Sequence, residues 1–266
     1  ETRLNDLPKA RHAYETALQS APDLYPALRG LTRCLLRSGG PADAVKVLDQ
    51  LASTARDQTT MQQALMDAAR IARDTLKDDA AAASYYGKVL DRDPLHAEAG
   101  PALEELLARR GGAVDLAALH EKRGEAKLAQ KDLFNASQEF YKGARIWLDG
   151  VKDRDKAMAA LDRALMAMPT LPDALELKAT LAIEAQSYAE AAAALAVRVQ
   201  QGGDPLTLAR VHLRLGALYH DHLSDQTRAA AHLQTALAAD ASSTEALERL
   251  STIHSASRNW TGAADC

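Results

Sequence analysis

HLRLGALYHDHLSDQTRAAAHLQTALAAD, residues 212–240, is the stretch whose reading decides the fold. In its first half His212, Leu215, Gly216 and Tyr219 recur at three- and four-residue spacing, which places them on one face of an α-helix. In its second half Ala229, Leu233, Ala236 and Leu237 do the same. The stretch therefore reads as two antiparallel helices, with small residues where the helices must approach one another.

Composition extends that reading to the whole chain. Of 266 residues 47% are apolar but only 4% aromatic, so the core must be built from Leu, Ala, Val, Ile and a few Tyr. Runs of β-branched and aromatic residues are absent and no stretch alternates convincingly with a strand period, which predicts an all-α protein without a sheet. A stacked array of small helical units needs only neighbour contacts and suits so few large aromatics better than one globular core.

The order Leu215-Gly216 then Tyr219, followed in the next helix by Ala229, Leu233 and Ala236, resembles the tetratricopeptide repeat, although Ala241 stands where that pattern closes on proline. The resemblance implies a right-handed α-solenoid of antiparallel helix pairs, a superhelix that acts as a binding scaffold, with about seven pairs plus partial terminal repeats. Residues 1–266 are expected to form a single solenoid. Glu1–Asn5 reads as the end of one helix and Trp260–Cys266 as the beginning of another, so the chain resembles a fragment, cut at both ends, of a longer bacterial protein of this family.

The same spacing recurs outward from the quoted stretch. Ala10, Tyr14 and Ala17 precede Pro22, and Ala82, Tyr86 and Val89 precede Pro94; proline there cannot continue a helix and forces a turn. Asp23–Ser38 reads as a first helix through Leu28, Leu31 and Leu35, partnered by Pro41–Ser53 through Ala44, Leu48 and Leu51. Thr59–Leu76 pairs with Asp79–Arg92, and residues 95–110 form another first helix. Pro22, Pro94 and Pro169 are separated by 72 and 75 residues, or two units each of about 36 or 37 residues where the family has about 34. The excess is expected in loops such as Lys77-Asp78-Asp79. Residues 113–149 have an atypical repeat phase. Counting back from Ala157, Leu161, Ala164 and Pro169 makes the Phe134–Leu148 helix the first member of the following pair and leaves Val114–Gln130 as a long partner of the preceding one. Further on, Pro172–Gln186 pairs with Tyr188–Gln200, and Ser243–Ala256 leads to Asn259-Trp260.

In the tetratricopeptide family the first helix of each pair lines a concave groove, so its outward positions are the partner-binding candidates. Arg29, Arg33 and Arg37 stack four residues apart on one face, and Arg70 and Arg73 follow one unit later. Guanidinium groups so arranged can clamp carboxylates or phosphates bidentately. Farther along, the equivalent positions turn acidic: Glu98, Glu105, Asp173, Glu176, Glu184, Glu245 and Glu248. Such a polarised groove would orient an extended peptide. Some tetratricopeptide domains grip a C-terminal carboxylate with a Lys and Asn set; no asparagine accompanies Arg29 and Arg33, which argues against that mode.

Other chemistry finds little support in the residues. His212, His220, His222, His232 and His254 lack the i, i+3 or i, i+4 spacing of helical metal ligands, so they are read as packing or surface residues and no metal or cofactor is expected. Cys34 lies among leucines as a packing thiol, and Gly39-Gly40, Gly111-Gly112 and Gly202-Gly203 follow helix ends as stops rather than phosphate cradles. No catalytic residue is indicated and the chain is not read as an enzyme. Two cysteines suggest a reducing, cytoplasmic compartment, and no apolar run approaches the about 20 residues of a membrane helix. The expected activity is capture of a protein or peptide with an acidic segment. An RNA-binding helical repeat is the alternative, disfavoured by a net charge of −4.

Overall fold

The computed structural model describes residues 6–22 and 24–256, which are helical apart from turns, with no strand among the described residues. The expectations for Glu1–Asn5, Asp23 and Asn259–Cys266, Trp260 included, lie outside the described residues. Among the described residues fourteen α-helices follow one another: α1 (Leu7–Ser20), α2 (Tyr25–Arg37), α3 (Pro41–Thr54), α4 (Gln58–Arg70), α5 (Asp79–Leu90), α6 (Ala99–Arg110), α7 (Ala113–Ala129), α8 (Leu133–Ile146), α9 (Arg154–Ala167), α10 (Pro172–Glu184), α11 (Tyr188–Gln200), α12 (Pro205–Asp221), α13 (Gln226–Ala239) and α14 (Thr244–Ala256). The architecture is an α-solenoid of helix pairs, divided into two compact units, residues 1–126 and 127–266.

Local chemistry explains where the helices begin. Aspartates at the N-caps of α4, α9 and α12 accept the amide three residues on: Asp57 from Thr60 at 2.7 Å, Asp153 from Lys156 at 3.0 Å and Asp204 from Thr207 at 2.8 Å. These bonds hold all three carboxyls below the usual aspartate value. Proline opens α2, α3, α10 and α12, where its missing N–H costs nothing. The non-glycine residues Lys77, Lys131, Lys152 and Ser224 adopt positive φ, and each directly precedes an N-cap aspartate; a left-handed residue then an Asp cap is thus a recurring turn.

Two boundaries differ from the sequence expectation. The sequence places the extra length of the repeats in loops, but α4 and α8 each continue into a π turn, Ile71–Leu76 and Trp147–Val151. Each turn closes when the capping aspartate's amide, Asp78 or Asp153, reaches the carbonyl of Ala72 or Trp147. The added residue therefore widens a helix rather than lengthening a loop. The helix expected from residue 95 begins instead at Ala99, because the His96 ring accepts the amide of Ala99 at 3.2 Å and acts as a cap.

In the first unit α2 packs on α1 and α3, α4 on α3 and α5, and α5 on α6. Leu28, Leu48, Leu65, Tyr86, Leu90 and Leu106 form one continuous core, and Leu119 of α7 joins it. Tyr86 is fully buried, and its hydroxyl has no hydrogen-bond partner among the described residues. An unsatisfied buried donor costs about 1–3 kcal/mol, so Tyr86→Phe is expected to leave stability unchanged or raise it. A lowered midpoint in chemical denaturation would show that the hydroxyl is bonded.

In the second unit α8 packs most extensively on α9, α10 on α11 and α12 on α13. Phe140, Leu161, Leu195, Leu215 and Leu233 are its largest fully buried apolar side chains, and Trp147 is nearly so. Gly216 faces Leu233: a Cβ there would lie 2.6 Å from Leu233 Cγ, so the close approach needs a residue without a side chain. Glu139 is buried and held by Lys127 at 3.2 Å, a charge taken out of water only because it is paired.

Candidate functional site

Helix α2 carries three arginines and no carboxylate. Its buried side consists of Ala27, Leu28, Leu31, Cys34 and Leu35, which packs the helix down, and Gly30 lies so close to α1 that a Cβ would meet the Tyr14 ring at 2.2 Å. The opposite side presents Arg29, Arg33 and Arg37 to solvent. Helix α4 lies across from it on α3, and the three helices enclose a groove of about 300 Å³. Tyr25, Leu36, Leu48, Leu51 and Ile71 supply its apolar lining, while Thr32, Thr60 and Gln63 add polar groups. At the N-terminal end of α2 a second hollow of about 440 Å³, bordered by Leu24 and Arg56, shares Tyr25, Leu51 and Thr60 with the first.

The arginines divide by what already holds them. Arg29 donates to the Tyr25 hydroxyl at 3.2 Å and stands 5.7 Å over the same ring, and it bonds no carboxylate among the described residues. Arg33 lines the groove beside it; Arg37 is exposed beyond the lining. Arg70 also lines the groove but is gripped through two nitrogens by Glu98, the residue that precedes α6, one contact at 2.8 Å, and bonds Asp67 at 3.2 Å. That grip lowers the Glu98 carboxyl below the usual glutamate value. Arg73, in the π turn, is bound to Asp74 at 2.7 Å and stands 5.9 Å from the Tyr86 ring, away from the groove lining. The structure thus brings Arg29, Arg33 and Arg70 to one groove, where the Arg29 guanidinium, held by one tyrosine, is less committed than that of Arg70, held by two carboxylates.

Most acidic candidates are already paired with an arginine of the chain. Glu105 lies 4.0 Å from Arg109; Glu176 binds the buried Arg198 at 3.0 Å; Glu184 meets Arg154 at 3.0 Å; and Glu245 meets Arg249 at 3.2 Å. Asp173 and Glu248 are exposed. The apolar floor of the groove escaped the sequence reading, since Leu48 and Leu51 come from the intervening helix; the exposed Leu36 on the arginine side was the available signal.

The histidines pack. Tyr188 stacks on His222 at 3.7 Å and Tyr219 on His232 at 5.7 Å, and no group of three potential ligands gathers among the described residues. His212 and His232, twenty positions apart, meet Nδ1 to Nδ1 at 2.9 Å across α12 and α13. Desolvation lowers both imidazoles below their usual value; His232 is lowered further by His212 and by Arg228, whose guanidinium lies over Tyr219. Because the folded values are depressed, the unfolded chain takes up protons first. The contribution is intact above about pH 6.5 and is lost as pH falls below it. The melting temperature is expected to fall more between pH 7 and 5 in the wild type than in a His212→Leu, His232→Phe variant; parallel curves would show that the pair does not titrate with folding.

Residues 2–69, which contain α1 to α3, all of α4 but its last residue and most of the groove lining, match the tetratricopeptide repeat family model. No curated protein matches the chain. Similar solved structures include the C-terminal part of a tetratricopeptide repeat-containing protein from Cytophaga hutchinsonii, at 14% identity over 92% of this chain and 95% of that one with a TM-score of 0.44. Pseudomonas aeruginosa pilF is 18% identical over 91% of this chain and 97% of its own, with a TM-score of 0.42. YrrB, described as a tetratricopeptide protein with an unusual peptide-binding site, is 17% identical over 66% and 86%, with a TM-score of 0.35.

Proposed function

We propose that this array of tetratricopeptide-type helix pairs is a protein-binding scaffold that holds an acidic segment of a partner in the groove between α2 and α4. The observation that carries the reading is the helix with three arginines and no carboxylate, set beside an open groove whose floor is apolar. Apolar floor and cationic rim answer the two requirements of peptide capture, since burial supplies affinity and the planar guanidinium fork selects carboxylates. RNA fits less well: with 36 acidic against 32 basic residues the chain has no net positive charge to draw successive phosphates.

Replacing Arg29 and Arg33 together by glutamate tests the proposal. The immobilised double variant is expected to lose an acidic partner that the wild type retains, with helicity by circular dichroism unchanged because both side chains are exposed. Retention of the same partner by the variant removes the groove from the account, and selective retention of RNA by the wild type would replace protein capture by nucleic-acid capture.

A further inference from the structure

We infer that the hollow between α5, α6 and α7 is a binding site for a small soluble amphiphile without net charge, whose apolar part lies on the leucines of the floor and whose hydroxyl or amide head meets Arg110 and Asp115. The hollow shares no lining residue with the α2–α4 groove, so this site stands apart from peptide capture.

The hollow has a volume of about 410 Å³, within the range of about 300–1,000 Å³ that small-molecule sites occupy. Buried Leu90, Leu103, Leu107 and Leu119 form its floor, and Ala83 and Gly87 of α5 and Ala118 of α7 are its low walls. Gly30 and Gly216 lie where a Cβ would collide with Tyr14 or Leu233, whereas a Cβ at Gly87 would meet no atom of the described residues within 4 Å. Glycine is the poorest helix former apart from proline, so Gly87 weakens α5 although no contact among the described residues calls for it. Its effect is to keep the hollow open.

The two ends of the hollow differ. At one, Asp91, directly after α5, accepts a hydrogen bond from Lys122 of α7 at 2.6 Å, and this ion pair closes the hollow. A peptide or helix running through would have to part that pair; a compact ligand leaves it in place. At the other end Arg109 reaches Asp79 at 3.6 Å, which sets the last turn of α6 beside the first turn of α5, and Arg110 and Asp115 flank the Gly111-Gly112 turn. Both line the hollow, both are exposed, and neither forms an ion pair among the described residues. A charged head would be drawn by one of them and repelled by the other while giving up its water. A hydroxyl or amide accepts from a guanidinium and donates to a carboxylate, so an uncharged head satisfies both.

Two-dimensional amide NMR on the full chain, titrated with small probes, tests the inference. 1,2-Octanediol is expected to give saturable shifts within residues 80–90, 103–110 and 115–122. Octanoate and octylammonium, which keep the tail and charge the head, and 1,2-ethanediol, which lacks the tail, should each bind more weakly by about tenfold or more. Gly87→Leu puts a side chain into the hollow: its melting temperature should equal or exceed that of the wild type, while its affinity for 1,2-octanediol falls about tenfold. Asp115→Asn leaves Arg110 alone at the head position and should turn the preference toward octanoate. No saturable shift at millimolar 1,2-octanediol, shifts centred on other helices, equal affinity for the ionic probes, undiminished binding by Gly87→Leu, or an unchanged preference in Asp115→Asn overturns the inference.

Discussion

Phe140→Ala is expected to lower the stability of the second unit by about 3–5 kcal/mol, the usual cost of truncating a buried phenylalanine. Phe140 is 1% exposed and lies on α8, which packs most extensively on α9. Arg163 of α9 places its guanidinium 4.3 Å over the ring, so the substitution removes an aromatic filler and a cation–π contact from the same helix pair. The buried residues of the two helices are mostly small: Ala136 and Ala144, one turn either side of Phe140, and Ala157, Ala160 and Ala164 of α9 have no side chain long enough to refill the vacated space. Denaturant unfolding followed by circular dichroism should therefore show an early transition from the second unit, since arrays of repeats need not unfold in one step. Phe140→Leu, which refills most of the volume, should recover much of the loss. A change in the alanine variant below about 1 kcal/mol would mean that α8 and α9 are not joined through this ring.

Gly216→Leu gives the second large effect. Even a Cβ at this position would fall 2.6 Å from Leu233 Cγ, 2.7 Å from its Cδ2 and 3.3 Å from the carbonyl oxygen of Ala229, and the last cannot move without the helix. Overpacking of this kind costs about 1–3 kcal/mol. Gly216→Ala should cost less, because alanine is favoured over glycine inside a helix by about 1 kcal/mol, which offsets part of the clash. The Gly216→Leu, Leu233→Ala combination is expected to be more stable than Gly216→Leu alone. Independent, additive effects would show that the two residues do not touch.

The helical pattern was legible because it depends on local chemistry. The residues 212–240 used to set the phase form α12 and α13, with Leu215, Gly216, Leu233 and Ala236 buried as the 3.6-residue period requires. Prolines and capping aspartates mark the ends for the same reason. Counting residues cannot distinguish an insertion in a loop from one inside a helix, and the π turns after α4 and α8 were therefore assigned to loops. The cap formed by His96 was equally hidden, since histidine shares the role only when its ring happens to reach the amides. At the candidate site, the four-residue spacing displayed Arg29, Arg33 and Arg37 as a stripe. Their differing commitments were not readable, because the Arg70–Glu98 grip and the His212–His232 contact join positions 28 and 20 residues apart. Only packing brings such residues together.

Hydrogen–deuterium exchange on the full chain, alone and saturated with the acidic partner it captures, tests groove binding most directly. A ligand lying in the groove should slow exchange across α2 and α4, Tyr25–Arg37 and Gln58–Arg70, and that protection should vanish in the Arg29→Glu, Arg33→Glu variant. Protection confined to residues 127–256, with α2 and α4 unchanged, would contradict it.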